Sequence, residues 1–136
     1  NSPQVAGIDM LLAECYSRQQ RLPMMRPLLA EALSIYEKVV SDPTNKSNNR
    51  KNGRKRVLAL IKLGQLDRDE NRYPEAEKEL KEAMQLAEES FADDKTLLYQ
   101  ALNSYACYLA QIGKAQESKE IFARADAIST EQLMKE

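Results

Sequence analysis

The chain has 136 residues, of which 43% are hydrophobic and 30% charged, with only 4 Gly and 5 Pro and a formal net charge of -1. That is one domain's length. The balance argues against a disordered or low-complexity chain, and no apolar run approaches the roughly 20 residues of a membrane helix. Histidine is absent, which removes the commonest general base and the commonest metal ligand. The charge is uneven: residues 1–68 hold 12 Lys/Arg against 6 Asp/Glu, and residues 69–136 hold 8 against 15. Such a molecule is expected to be electrically polar along its length, a field that orients charged partners.

In chain order, Ser2-Pro3 reads as an N-cap followed by proline in the first turn. Val5, Ile8, Leu11, Leu12 and Cys15 then recur in steps of three and four, the buried stripe of a first helix that fades near Gln20. Pro23 and Pro27 break it, and a second helix is expected to begin close to Pro27. Its stripe is Leu28, Leu29, Ala32, Leu33, Tyr36, Val39 and Val40, and Ser41-Asp42-Pro43 ends it. Residues 43–53, rich in Asn with Pro43 and Gly53, read as a loop. A basic cluster overlaps it: Lys46, Arg50, Lys51, Arg54, Lys55 and Arg56. A third helix is expected from about Arg54 to Glu70, buried through Val57, Leu60, Leu63 and Gly64. Asn71-Arg72-Tyr73 turns the chain, and Pro74 opens a fourth helix whose outer surface carries the i,i+4 pairs Glu77–Lys81 and Lys78–Glu82. Asp93 or Asp94 caps a fifth helix, ended by Gly113 in a left-handed C-terminal position. A sixth covers about 115–128. Ser129-Thr130-Glu131-Gln132 has the capping-box pattern for a short final helix over 129–136. Cys15 and Cys107, each inside a helical pattern, read as buried small residues rather than a disulfide or metal pair.

The helices come in pairs, and the pairs repeat. Ala76-x3-Leu80-x2-Ala83 lies on Ser118-x3-Phe122-x2-Ala125 at an offset of 42 residues, which also lays Leu60, Leu63 and Gly64 on Leu102, Tyr105 and Ala106. Ala32-x3-Tyr36-x2-Val39 joins 44 residues earlier. This alternation of small and large apolar positions resembles the tetratricopeptide repeat family. The resemblance implies an all-α, right-handed superhelix of three helix pairs plus the short capping helix. The pairs span about 4–40, 54–90 and 96–128 within one domain over 1–136. Small residues let two helices approach; large ones fill the space between stacked pairs. Asp67 stands where the family usually has tyrosine, Ser118 where it has alanine, and Gln19-Gln20 where a Leu-Gly pair is usual. The 42-residue spacing, with Ala101-Leu102-Asn103-Ser104-Tyr105-Ala106, then Gly113-Lys114, then Glu117-Ser118, is similar to the kinesin-light-chain type rather than to the common repeat of about 34 residues.

What the resemblance implies is protein recognition without catalysis: a scaffold or adaptor that binds a protein or peptide on its concave face, with a cytoskeletal filament or its cargo as the sharper version. By register that face carries Leu58, Ile61, Gln65 and Arg68 in the second pair, and Gln100, Asn103, Cys107 and Gln111 in the third. Leu58 and Ile61 read equally as core. The basic cluster reads as a solvated loop, as a grip on an acidic protein surface or, more remotely, as a nucleic-acid contact; the pI near 5.7 and the absence of Trp argue against the last. No enzyme, cofactor, metal site, small-molecule substrate or membrane insertion is expected, and the pattern shows no buried carboxylate pair. A cytoplasmic location is expected, and a self-associating structural module is the alternative function.

Overall fold

A computed structural model describes residues 2–18, 22–41 and 49–135. Six α-helices follow one another: α1 Pro3–Arg18, α2 Leu22–Ser41, α3 Asn49–Asp69, α4 Tyr73–Ser90, α5 Lys95–Gln111 and α6 Ala115–Lys135. Consecutive helices pack on one another, and α3 also packs on α5. The result is an all-α repeat fold of three helix pairs.

The helix ends follow the sequence closely where a cap exists. Ser2 accepts a hydrogen bond from the Val5 amide (3.3 Å), and Asp94 accepts one from the Leu97 amide (3.2 Å). After α3, Asn71 takes φ 64; its amide bonds back to Arg68 and that of Arg72 to Asp67. After α5, Gly113 takes φ 88; its amide reaches Ala110 and that of Lys114 reaches Leu109. These are two Schellman closures, each with one residue in the left-handed region. They lie 42 residues apart, so the second and third pairs share their turn as well as their core pattern.

The core confirms the packing logic. An added Cβ on Gly64 would lie 2.5 Å from Leu80 Cγ, so the α3–α4 approach depends on its having none. In the third pair Ala106 takes that place, and the Ser118 hydroxyl donates to the Ala106 carbonyl (2.8 Å), which satisfies a buried hydroxyl where the family has alanine.

Four expectations change. The buried side of α1 is Ala6, Asp9 and Ala13, not the apolar stripe: Ile8, Leu11 and Leu12 are 56%, 65% and 43% exposed, and Cys15 is exposed too. Small residues win the contact because they let α1 lie close on α2. Pro27 sits inside α2 rather than at its start. It removes only the bond to Pro23 in the first turn, and the burial of Met25 and Leu29 against Ala13, Leu63 and Leu66 holds the helix there. Helix α6 runs unbroken to Lys135, because nothing in 125–128 stops it; the capping-box pattern starts no separate helix. Finally, the first pair's register is 51 residues, not 44. At that offset Met25, Leu29, Ala32 and Tyr36 fall on Ala76, Leu80, Ala83 and Ala87, all buried. Ala6, Asp9 and Ala13 fall on Val57, Leu60 and Gly64. Leu12-Ala13 is then the Leu-small pair, rather than Gln19-Gln20, which lies outside the described residues.

Candidate recognition groove

With the register corrected, the groove positions of the first pair are Gly7, Met10, Glu14 and Ser17 on α1. Across from them α3 presents Leu58, Lys62 and Gln65. Between the two helices lies a cavity of about 590 Å³, lined by Ile8, Met10, Leu11 and Leu58, with Glu14 on the α1 side, Lys55 and Lys62 on the α3 side, and Tyr36 of α2. A second cavity, of about 210 Å³, continues between the same helices past Ala13, Glu14, Ser17, Lys62, Gln65 and Asp69. Among the described residues neither Lys55 nor Lys62 is held in an ion pair. Their hydrocarbon stems extend the apolar wall while their ammonium groups stay in water.

The expected site residues divide. Leu58 is half-buried and lines the groove. Ile61 is 4% exposed and packs among Val57, Leu97, Leu98 and Ala101, so it is core and not groove. The α3–α5 contact closes over it, whereas α1 meets α3 through Ala6 and Ala13, against Ala59, Leu63 and Leu66, beside the open cavity. Gln65 donates to Ser104 Oγ across α3 and α5 (2.9 Å), and Gln111 donates to the Tyr73 hydroxyl (3.1 Å), which itself donates to Asn71. Arg68 leans on neighbouring Asp69 (3.4 Å). Gln100 is exposed, and Asn103 and Cys107 are half-buried on α5. The sequence reading missed Gly7, Ile8, Leu11, Glu14 and Lys62; the signal that finds them is the Leu12-Ala13 pair.

The basic cluster is not a loop. Arg50, Lys51, Arg54, Lys55 and Arg56 lie in the first turns of α3, and Lys46 lies outside the described residues. Asn52 and Gly53, which look like breakers, are buried: a Cβ on Gly53 would sit 3.1 Å from Phe91 Cζ. Three of the arginines are engaged within the chain. Arg50 pairs with Asp93 (2.6 Å) and lies over the Phe91 ring, Arg54 pairs with Asp94 (2.6 Å), and Arg56 pairs with Glu82 (2.9 Å). Glu82 thus reaches across to α3. Burial alone would raise Asp94, but the hydrogen bonds from Arg54 and the Leu97 amide outweigh it and hold its carboxyl below the usual range. Much of the basic excess of residues 1–68 is therefore spent on the acidic excess of residues 69–136, inside the molecule.

A buried carboxylate pair exists after all. Asp67 is 1% exposed; it pairs with Arg26 and accepts a hydrogen bond from Glu79. Arg26 also pairs with Glu70 (3.0 Å). Burial, then the hydrogen bond and charge of Asp67, push Glu79 up to about 9. Neither carboxyl lines the α1/α3 groove; the cluster ties α2, α3 and α4 together. Among the described residues no helix is long and apolar enough to cross a membrane.

Compared with known proteins, the chain matches the family model for the tetratricopeptide repeat over residues 56–131. No curated protein matches it.

Proposed function

The chain belongs to the tetratricopeptide repeat family, and from that premise we propose that it is a non-catalytic recognition module holding a protein or peptide in the groove between α1 and α3. Repeats of this family generally mediate protein–protein interaction and are generally non-catalytic scaffolds. One observation carries the reading: a single cavity combines the apolar side chains Ile8, Leu11 and Leu58 with Glu14 on α1 and with two lysines on α3 that have no ion-pair partner among the described residues. Its volume of about 590 Å³ takes a few side chains of a bound segment. The partner that suits it presents apolar residues flanked by Asp or Glu. The apolar contact supplies most of the affinity, and the lysines supply orientation and a salt-sensitive part of the association rate.

A kinesin-light-chain-like role with a cytoskeletal filament or cargo has the 42-residue spacing as its support. The pairing of Arg50, Arg54 and Arg56 within the chain adds nothing to it, so the partner is stated by its chemistry. Selection from a random-peptide display library is expected to enrich apolar residues next to Asp or Glu. Lys55→Glu with Lys62→Glu should abolish the acidic preference. Enrichment of basic peptides, or an acidic preference that survives both reversals, would sink the reading.

A further inference from the structure

At one buried place the first pair departs from the other two. Leu60 and Leu102 hold the same register position in the second and third pairs, each 1% exposed. On α1 that position is Asp9, itself only 6% exposed. It lies between Ala6 and Ala13 on the side of α1 that packs against α2. No donor reaches its buried Oδ2. The group that meets Asp9 from α2 is another carboxyl, that of Glu31, in a hydrogen-bonding contact. Two carboxyls hydrogen-bond only while one of them holds a proton. An ionised carboxylate buried without a donor is strongly disfavoured, so the contact keeps that proton.

We propose that this proton is a latch: shared by Asp9 and Glu31 it keeps α1 docked on α2, and its loss loosens α1 together with the groove wall formed by Ile8, Met10 and Leu11. The effect on the groove rests on the reading given under Proposed function; the latch itself does not. The surroundings favour the protonated form. Burial, then the hydrogen bond and charge of Glu31, push the Asp9 carboxyl above the usual carboxylate range, and the amino-terminal charge opposes them. Tyr36 of α2 is pushed up by burial and by the charge of Asp9, so it stays neutral. From α3 the seam receives Ala59, while Lys55 and Lys62 line the cavity instead. Asp67 has Arg26 as its cation, but among the described residues Asp9 has no ion pair. With the folded carboxyl raised, the latch is whole below the ordinary value of 3.8 and is lost as pH rises through the folded one. Glu79 keeps its proton until about 9, so the two sites titrate apart.

Amide hydrogen exchange on the full chain, corrected for the intrinsic rate at each pH, compares the opening of α1 with that of α5 from about pH 4 to about pH 8. The opening of α1 relative to α5 should rise with pH by at most about tenfold per unit, the slope of one proton. Asp9→Asn and Glu31→Gln each place a permanent N–H donor in the contact and should hold α1 closed at every pH. An opening of α1 that does not change with pH, or one that changes in both variants as in the original, would overturn the latch. Peptides selected on the groove should lose affinity towards the upper end of the range with the original chain and not with Asp9→Asn. Equal pH profiles for the two would overturn the coupling to the groove. A chain that takes no such peptide at any pH would sink the groove reading and the coupling together, and the exchange result would still decide the latch.

Discussion

Arg26 on α2 pairs with Asp67 and Glu70, and Glu79, beside Asp67, keeps a proton of its own. The consequence is a pH dependence with a definite sign. Folded, Glu79 titrates at about 9; unfolded, it returns towards 4.5. The folded chain therefore keeps a proton that the unfolded chain gives up. That contribution to stability is whole below about pH 4.5 and is lost as pH rises through 9. Thermal melts of the original chain should fall between neutral pH and pH 9. Glu79→Gln should flatten that fall and gain most at the alkaline end; a variant whose curve runs parallel to the original would contradict the assignment. Asp67 is visible in the sequence as a departure from the family's tyrosine. Its partner was not, because placing the start of α2 at Pro27 leaves Arg26 outside a helix.

At the scale of the element, two helices show where pattern fails. On α1 the apolar residues outnumber the small ones, so periodicity selects Ile8, Leu11, Leu12 and Cys15 as the buried face. Close helix contact selects Ala6 and Ala13 instead, and the larger residues are left for whatever covers the other sides. On α3, Asn and Gly composition suggests a loop over 49–53. Burial of Asn52, and of Gly53 against Phe91, extends the helix through it. The capped ends, by contrast, were legible, since Ser2, Asp94 and Gly113 each act through local geometry alone. Glycines test the distinction between packing and propensity. Gly64→Ala forces a Cβ into Leu80 and should cost about 1–3 kcal/mol by overpacking. Gly7→Ala meets nothing within 4 Å on a helix and should gain about 0.5–1 kcal/mol. Chemical denaturation measures both; a stabilising Gly64→Ala would mean that α3 and α4 do not approach as described.

Across the whole molecule the three pairs differ in how their first helices meet. Contact between α3 and α5 buries Ile61 and ties Gln65 to Ser104, so the second and third pairs present little open groove there. Between α1 and α3 the space stays open, walled by apolar side chains and edged by Lys55 and Lys62. The sequence showed the repeat, and at the 42-residue spacing Leu60, Leu63, Gly64, Ala76 and Ala83 fall on Leu102, Tyr105, Ala106, Ser118 and Ala125, all buried. It misplaced the first pair because α2 ends later and α3 starts earlier, relative to the core positions, than their counterparts α4 and α5, with more residues between them, which sets the spacing at 51; a groove needs both of its walls in register to be seen. The charge asymmetry was equally visible, but the arginines that compose it pair within the chain, with Asp93, Asp94 and Glu82, at contacts open to water that add little to stability.

The most direct measurement compares partner capture from the native lysate by three forms of the chain: the original, Leu58→Asp, and Arg50→Ser with Arg54→Ser. The account predicts that Leu58→Asp loses the dominant partner while keeping its fold, because it places a charge in the groove wall, and that the double arginine variant keeps it. Loss with the arginine variant and retention with Leu58→Asp would contradict the account and move recognition to the start of α3.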